Sequence, residues 1–256
     1  MKKYLIILTV SFFLAPTAQA ISTIQLKVSY AQDADSLYRL KDYQGAAAGY
    51  EDVLSAHFSS ADLYYNLGNA YYRLDRFADA ILCYERALRL NPSHSDAKQN
   101  LALANSKTQD RIATLPQFFL AAWYNALVTR ITPHAWRIIV LLFLALLAAS
   151  FVIFRLAHQL TLRKAAFIAI IASAALMLLS ILLLFISTAR FNSRDAAIVM
   201  QPSVAVKSSP ESQSVDKLIL HEGTRVVISE DLSGWHKITL ADGTTGWLPS
   251  DAIERI

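Results

Sequence analysis

The sequence contains a single cysteine, Cys83, which excludes an intramolecular disulfide framework and a cysteine-rich zinc site. Its six histidines are far apart and show no metal-ligand spacing. Charged residues make up only 17% of the chain, below the roughly 25% of ordinary soluble domains. Apolar residues reach 54% and are concentrated in separate runs. This distribution excludes a simple cytosolic protein.

Catalytic patterns are also missing from the sequence. There is no nucleophile elbow, no phosphate-binding loop and no paired-carboxylate signature. The nearest approach to a catalytic group is Glu230, Asp231 and His236 around one turn, where acidic side chains are usually solvated. We therefore expect a protein that is not an enzyme and needs no metal or cofactor.

The net charge of +4 is divided unevenly along the chain. Residues 21–107 carry nine Lys/Arg and ten Asp/Glu, residues 108–194 carry eight and one, and residues 195–256 carry five and nine. The basic excess therefore surrounds the apolar runs, where each cation near an anionic bilayer surface contributes about 1 kcal/mol. Membrane lipids are predicted partners, and nucleic acid is not, because neither flanking part is basic.

The N-terminal residues predict export. Residues 1–20 combine Lys2 and Lys3, an apolar stretch, and the small residues of Ala18-Gln19-Ala20, as in a secretory signal peptide. An uncleaved membrane anchor is the alternative. Both interpretations export the residues that follow.

Two further runs are long enough to cross a bilayer, which requires about 20 residues. We expect transmembrane helices at 135–156 and 165–189, joined by a cytoplasmic loop at 157–164. Residues 108–134 are expected to form a linker and an amphipathic interfacial helix. With the export signal, this hairpin predicts a multi-pass protein of the cytoplasmic (inner) membrane with both soluble parts in the periplasm.

A 34-residue period predicts an all-α tetratricopeptide solenoid over residues 21–107. The strong copy is 61–94, a weaker copy is 27–60, and 95–107 is expected to form a capping helix. Small residues let the two helices of a repeat touch, and tyrosines fill the space around them. The positions that carry the pattern are Tyr64, Leu67, Gly68, Tyr71, Ala80, Tyr84, Ala87 and Pro92.

The same period aligns cationic residues on the first helices of the repeats, which line the concave face in this class of solenoid. We predict that this face binds an extended acidic or C-terminal segment of a partner. A solvated basic surface is the alternative. The predicted groove residues are Arg39, Asn69, Tyr72, Arg73 and Lys107.

Residues 195–256 predict a small all-β barrel, since seven short β-rich segments alternate with turns such as Asp242-Gly243. Period-two alternation places Ile238 and Leu240 towards the core and Trp235 towards the surface, where its indole is suited to line a peptide groove. The alternative is that Trp235 covers one end of the barrel. Trp247 is expected to be structural.

The string Gly234-Trp235 through Thr245-Gly246-Trp247 resembles the end of a bacterial SH3-like domain. The whole order, from export signal through repeats and membrane hairpin to this domain, is similar to the BatE family of the Bacteroides aerotolerance (Bat) operon. Leu115-Pro116-Gln117-Phe118-Phe119 adds to the likeness. The resemblance implies partnership with von Willebrand factor A-type Bat membrane proteins, indirectly with a MoxR-type ATPase, and a role in stress or envelope maintenance.

We therefore expect a multidomain membrane protein that acts as a non-catalytic scaffold and presents its repeats and its SH3-like domain to the periplasm. The alternative function is a cell-wall anchor whose SH3-like domain binds peptidoglycan. The ligand of that domain and the signal to which the protein responds are not predicted.

Overall fold

The computed structural model describes residues 32–256 except 57, 114–117, 120–130 and 193–194. The predicted signal peptide and most of the predicted interfacial helix lie outside the described residues. The described chain forms helical repeats, two long apolar helices and a C-terminal antiparallel sheet. The predicted multidomain class, with an all-α part, a helical hairpin and a small all-β part, is confirmed.

Five helices form the repeat region. Helix α1 covers residues 32–39, and it is followed by α2 (Tyr43–Ser55), α3 (Ala61–Arg73), α4 (Phe77–Leu90) and α5 (Ser95–Asn105). The turns before α2 and α4 contain Lys41 (φ 65°) and Asp75 (φ 59°), which lie one 34-residue period apart. The same backbone geometry therefore reverses the chain within both helix pairs.

The helices of the second pair touch at Gly68. A Cβ atom on Gly68 would lie 2.7 Å from Cε1 of the Tyr84 ring, so only glycine permits this approach. Leu67, Tyr71, Ala80 and Ala87 are buried around this contact, while Tyr64 and Pro92 are half-buried.

The two apolar helices, α6 (Pro133–Leu156) and α7 (Leu160–Asn192), pack side by side as an antiparallel hairpin. Both are long and apolar enough to span a membrane. Their contact residues recur every seven positions, as in a left-handed coiled coil. On α7 these residues are small, and on α6 two large aromatic residues are followed by a small one. They are Ala166, Ser173, Ser180 and Ser187 on α7, and Trp136, Phe143 and Ser150 on α6.

The predicted loop at 157–164 is too long, because only residues 157–159 are non-helical. The segment from Leu160 to Lys164 contains neither glycine nor proline, and it continues α7. The Arg163 guanidinium lies 4.9 Å from the centroid of the Phe154 ring, so the first turn of α7 packs on the last turns of α6.

Seven strands form the C-terminal sheet, which is antiparallel with the order β3-β2-β6-β5-β4-β1-β7. A short 3-10 helix, Ser250–Ala252, precedes the last strand. Ile238 and Leu240 lie in the core of the sheet as predicted. The strands are β1 (Ala196–Val199), β2 (Ser203–Lys207), β3 (Asp216–His221), β4 (Arg225–Leu232), β5 (Trp235–Thr239), β6 (Thr245–Pro249) and β7 (Ile253–Arg255).

The sheet packs directly on the repeat region. Ile198 and Ile256 belong to the same buried apolar cluster as Ile81 and Cys83 of α4. At the edge of this contact Arg86 donates to Glu254 Oε1 at 2.7 Å and to the carbonyl of Arg255 at 2.7 Å. The two soluble parts therefore share a core.

A second set of contacts links the segment after α5 to the turn between β3 and β4. The Asp110 carboxylate accepts hydrogen bonds from the His221 backbone N–H (2.7 Å) and the Thr224 hydroxyl (2.6 Å), and it also bonds His221 Nδ1 (2.7 Å). Burial opposes its ionisation, but these donors together lower the pKa of Asp110 below its usual value. Gly223, in the same turn, has φ +83°, and a Cβ atom at this position would lie 2.5 Å from Thr108 Cγ2. The turn therefore packs closely on the segment after α5.

Candidate functional site

Two equivalent hydrogen-bonded groups lie along one side of the helical repeats, one around the Asp35 carboxylate and the other around the Asn69 amide oxygen. The Tyr50 hydroxyl donates to Asp35 at 2.6 Å, and the Asn66 amide donates to the same carboxylate oxygen at 3.3 Å. One period later, the Tyr84 hydroxyl donates to Asn69 at 2.8 Å, and the Asn100 amide donates to it at 2.7 Å. Each group joins three successive helices, so it fixes the angle between neighbouring helices. It also fixes the orientation of the polar side chains on this side of the repeats.

These groups line two adjoining cavities that share Tyr38 and Asn69, which we call the repeat groove. The cavities have volumes of about 240 and 250 Å³. The first is lined by Asp35, Tyr38, Arg39, Tyr50, Asn66 and Asn69, and the second by Tyr38, Tyr65, Asn69, Tyr72, Arg73, Tyr84, Asn100 and Leu103.

Four of the five predicted groove residues line the repeat groove. Arg39 lies in the first cavity, Tyr72 and Arg73 lie in the second, and Asn69 borders both. Lys107 is exposed in the turn after α5 and is not among the lining residues of either cavity.

Arg73 is held in place by a neighbouring ring. Its guanidinium donates to the Tyr43 hydroxyl at 2.9 Å and lies 5.1 Å from the centroid of that ring. This hydrogen bond raises the pKa of Arg73. The cation is therefore permanent and oriented at the edge of the groove, which suits recognition of a carboxylate.

Three of the groove tyrosines, Tyr38, Tyr50 and Tyr84, remain neutral in the physiological pH range. Burial raises the pKa of Tyr38, Tyr50 and Tyr84 above the usual tyrosine value. Their hydroxyls therefore serve as hydrogen-bonding groups, and the charges of the groove come from Asp35, Arg39 and Arg73. This combination of fixed amides, rings and cations suits an extended peptide with an acidic group.

Cys83 does not contribute reactive chemistry to the repeats. Its side chain is buried in α4, and burial raises the pKa of the thiol to about 12. Because the thiolate is the reactive form, this residue acts as a small packing group.

On the sheet, strand register places Trp235 and Trp247 on one outward face. Trp235 pairs with Pro249, and Lys237 pairs with Trp247, which in turn pairs with Lys207. Both tryptophans are half-buried and lie outside the apolar core cluster. The Lys237 ammonium is 5.8 Å from the Trp247 ring. Trp247 therefore shares the face of Trp235, and the expectation that it is structural stays a prediction.

The acidic turn next to this face forms ion pairs. Asp231 bonds His236 Nδ1 and the Arg255 guanidinium, each at 2.6 Å, while Glu230 lies 3.5 Å from the Lys237 ammonium. The Arg255 and His236 contacts lower the pKa of Asp231. Among the described residues, no group of three or more His, Cys, Asp or Glu side chains is placed to bind a metal ion.

Sequence reasoning predicted Asn69 but missed Asn66 and Asn100, the two amides that complete the repeat groove. Asn66 and Asn100 are separated by 34 residues, as are Asp35 and Asn69 and also Tyr50 and Tyr84. A search for polar residues with the repeat period would have found all three pairs, whereas the prediction from the sequence included Asn69 and the tyrosines but neither Asn66 nor Asn100.

Comparisons with known proteins support the modular description. Residues 61–94 match the family model of the tetratricopeptide repeat. No curated protein matches the chain. Among solved structures, the C-terminal SH3 domain of myosin IB from Entamoeba histolytica is similar at 28% identity, covering 22% of this chain and 95% of that chain, with a TM-score of 0.16. The chain combines a tetratricopeptide repeat, two apolar helices and a small all-β domain, and the tetratricopeptide repeat suggests a role in protein binding.

Proposed function

We propose that the protein is a membrane-anchored, non-catalytic scaffold that binds a partner protein in the repeat groove. The observation that carries this proposal is the repeated hydrogen-bonded group, Asp35–Tyr50–Asn66 and Asn69–Tyr84–Asn100. A row of oriented amides and hydroxyls beside Arg39 and Arg73 matches the carbonyl groups and an acidic group of an extended chain.

The membrane anchor in this proposal is the α6–α7 hairpin. Outward-facing side chains such as Leu142, Ile168 and Phe185 are exposed along both helices, which is unfavourable in water and favourable in a bilayer. With an export signal at residues 1–20, both soluble parts would lie in the periplasm. A reporter that fluoresces only in the cytoplasm should be bright after His158 and dark after Ile256; the reverse result would contradict this topology.

The partners follow from the family resemblance. We infer that the groove assembles von Willebrand factor A-type Bat membrane proteins, with a MoxR-type ATPase as an indirect partner, in stress response or envelope maintenance. Crosslinking in intact membranes, followed by mass spectrometric identification, tests this inference. Recovery of other proteins only would contradict the Bat assignment without contradicting a scaffold.

Substitution at the groove tests the binding site itself. Arg73→Ala with Arg39→Ala should lower partner recovery about tenfold or more, because each charge-assisted hydrogen bond contributes about 1.5–3 kcal/mol. Lys98→Ala is the matched control, since Lys98 is an exposed cation of α5 outside the groove. Adding Lys107→Ala tests whether the predicted third cation takes part. Unchanged recovery by a folded Arg39/Arg73 double variant would reject the groove.

A cell-wall anchor is the second candidate function, and the outward face with Trp235 and Trp247 favours it. Two indoles near lysines offer stacking surfaces for sugars and contacts for peptide stems. Sedimentation with purified sacculi should then require both tryptophans. Failure of the intact protein to sediment with peptidoglycan would exclude this function.

A further inference from the structure

A cavity of about 430 Å³ lies where the repeats, the hairpin and the sheet meet. Its volume falls within the range of about 300–1,000 Å³ that is typical of small-molecule sites. Residues of α4, of both outer hairpin ends and of the sheet line it, and neither the repeat groove nor the tryptophan face includes it. We call it the junction cavity.

The position of the junction cavity follows from its lining. Ile131, Thr132 and Pro133 precede or begin α6, while Ser187 and Phe191 belong to the last turns of α7. If the hairpin spans the bilayer, as in the proposed function on which this inference rests, these residues lie at the level of the lipid headgroups. The cavity then opens where a lipid can enter it from the membrane.

One wall of the junction cavity is apolar. Leu88, Pro92, Phe191 and Val227 contribute to it, and Val227 remains 41% exposed on its strand. An acyl chain that covers this wall would remove apolar surface from water, at about 25 cal/mol per Å².

The remaining lining carries two charges of each sign. Arg89 and Arg225 are the cations, and Glu85 and Asp195 are the anions. Arg225 Nε lies 3.3 Å from a Glu85 carboxylate oxygen. The guanidinium of Arg89 lies 5.8 Å from the centroid of the Phe191 ring, and it donates to the Ile256 carbonyl.

Glu85 is the more buried of the two carboxylates. Its side chain is only 20% exposed, and its one ion-pair contact, with the half-exposed Arg225, is longer than an ideal hydrogen bond. Burial raises the pKa of Glu85, and Arg225 only partly opposes this effect. A ligand with a positive group would complete the environment of this carboxylate.

We propose that the junction cavity binds a zwitterionic phospholipid whose headgroup carries a primary ammonium, as in phosphatidylethanolamine. The phosphate contacts Arg225 and Arg89, the ammonium donates to Glu85 and Asp195, and one acyl chain lies along Leu88, Phe191 and Val227. A quaternary ammonium cannot donate hydrogen bonds to these carboxylates, so the site discriminates against phosphatidylcholine. A purely anionic headgroup leaves Glu85 without its second partner.

Native mass spectrometry of the full chain tests this assignment. The protein is reconstituted in nanodiscs with equal amounts of phosphatidylethanolamine, phosphatidylcholine and phosphatidylglycerol, and the lipids retained on release are counted. We expect one tightly held phosphatidylethanolamine, retained about tenfold over phosphatidylcholine, which corresponds to one charge-assisted hydrogen bond. Equal retention of the three lipids, or a preference for phosphatidylglycerol, would overturn the proposal.

Two variants distinguish the contact of the lipid ammonium from the contact of the lipid phosphate. Glu85→Gln should bring the ratio of phosphatidylethanolamine to phosphatidylcholine close to one, while Arg225→Gln should lower retention of all three lipids. Glu222→Gln, on the sheet surface outside the cavity, is the matched control and should retain the wild-type ratio. A folded Glu85→Gln protein with the wild-type ratio would contradict the role of the carboxylate.

A measurement on the unmodified protein covers the case in which Glu85→Gln fails to fold. Phosphatidylethanolamine with a photoreactive acyl chain should label Leu88, Phe191 or Val227, and labelling confined to the outer faces of α6 and α7 would overturn the site. Soluble glycerophosphoethanolamine should not displace the lipid; displacement at equal concentration would assign the site to a free zwitterion instead. Failure of the protein to enter nanodiscs would contradict the proposed membrane anchor. The repeat groove is tested separately, by the recovery of partner proteins.

Discussion

At the scale of single residues, Gly68 is the position where the repeat packing is least tolerant. Gly68→Ala would place a Cβ 2.7 Å from the Tyr84 ring, whose hydroxyl is bonded to Asn69 and cannot swing away without breaking that bond. Overpacking costs about 1–3 kcal/mol, and the helix propensity of alanine returns up to about 1 kcal/mol. We expect a net loss of about 1–2 kcal/mol in the free energy of unfolding.

Gly49→Ala is the matched control for this prediction. Its added Cβ would lie 3.0 Å from the Ala34 methyl group, a milder contact, so we expect little net change. Chemical denaturation of both variants compares the two losses. Equal free energies of unfolding for Gly68→Ala and Gly49→Ala would show that the Tyr84 ring can move away from the added Cβ.

Trp235 provides a second test at this scale. It is half-buried and lies outside the core cluster, so Trp235→Ala should cost less than the roughly 3–5 kcal/mol of a fully buried tryptophan. Ile238→Ala in the same strand is the contrasting variant, since Ile238 is fully buried. The full chain should be used for the thermal melts, because Ile198 and Ile256 pack on the repeats. Loss of the cooperative melting transition in Trp235→Ala would show that the main role of Trp235 is packing.

Some features of the repeat region could be predicted from the sequence at the level of single residues, and others could not. Gly68 and Tyr84 were predictable because a fixed helix crossing requires a small residue opposite a large one. The hydrogen-bond partner of each tyrosine hydroxyl was harder to predict, since a pattern of residue sizes carries no information on hydrogen bonds. Lys107 follows the period but lies beyond the last full helix pair, where the repeat geometry no longer determines its position.

At the scale of elements, the hairpin depends on small residues at seven-residue intervals. Ser173 is buried between the helices, so Ser173→Leu should force α6 and α7 apart and lower the melting temperature in detergent. Ala172→Leu is the matched control, because Ala172 is exposed on the outward face. Circular dichroism during thermal unfolding compares the two variants. A lower melting temperature for Ala172→Leu alone would contradict the observed helix interface.

The strands illustrate how far alternation predicts structure. All seven predicted strand segments overlap observed strands, because short β-branched stretches separated by glycine and polar turns have few other ways to fold. Which residues of different strands share a face depends on register as well as alternation. Alternation alone therefore did not predict that Trp247 shares a face with Trp235, which follows from its pairing with Lys237 and Lys207.

At the scale of the whole molecule, Asp110 connects the repeat region to the sheet. Its pKa is lower in the folded protein than in the unfolded chain, so its stabilising contribution is present at neutral pH and is lost as the pH falls below about 4. Asp110→Asn should lower stability at pH 7 by about 1–3 kcal/mol, since it weakens charge-assisted bonds to His221 and Thr224.

Thermal unfolding checks this prediction. The wild type should unfold its two soluble parts in one transition at pH 7, whereas Asp110→Asn should separate them, and the difference between the two proteins should shrink as the pH falls below about 4. Glu211→Gln, in the exposed loop after β2, is the control for removal of a carboxylate. A difference between wild type and Asp110→Asn that does not shrink as the pH falls would mean that the carboxylate charge is not the cause.

The packing of the sheet on the repeats was not predictable from the sequence. Its contacts join residues such as Arg86 and Glu254, or Asp110 and His221, which are more than a hundred positions apart and belong to no repeated pattern. Local periodicity determines helices and strands, but the surfaces that meet afterwards depend on shape and charge in three dimensions.

The shared core of the two soluble parts has a consequence for encounters in the membrane plane. The chain enters α6 at Pro133 and leaves α7 at Asn192, so this body is tethered at two points on the same end of the hairpin. If the hairpin spans a bilayer, as we propose, these two tethers restrict tumbling and confine the repeat groove to a narrow layer above the bilayer. A partner anchored in the same membrane then meets the groove at an effective concentration on the order of millimolar. Weak, rapidly reversible contacts are sufficient for assembly under these conditions, and exchange of partners can be fast.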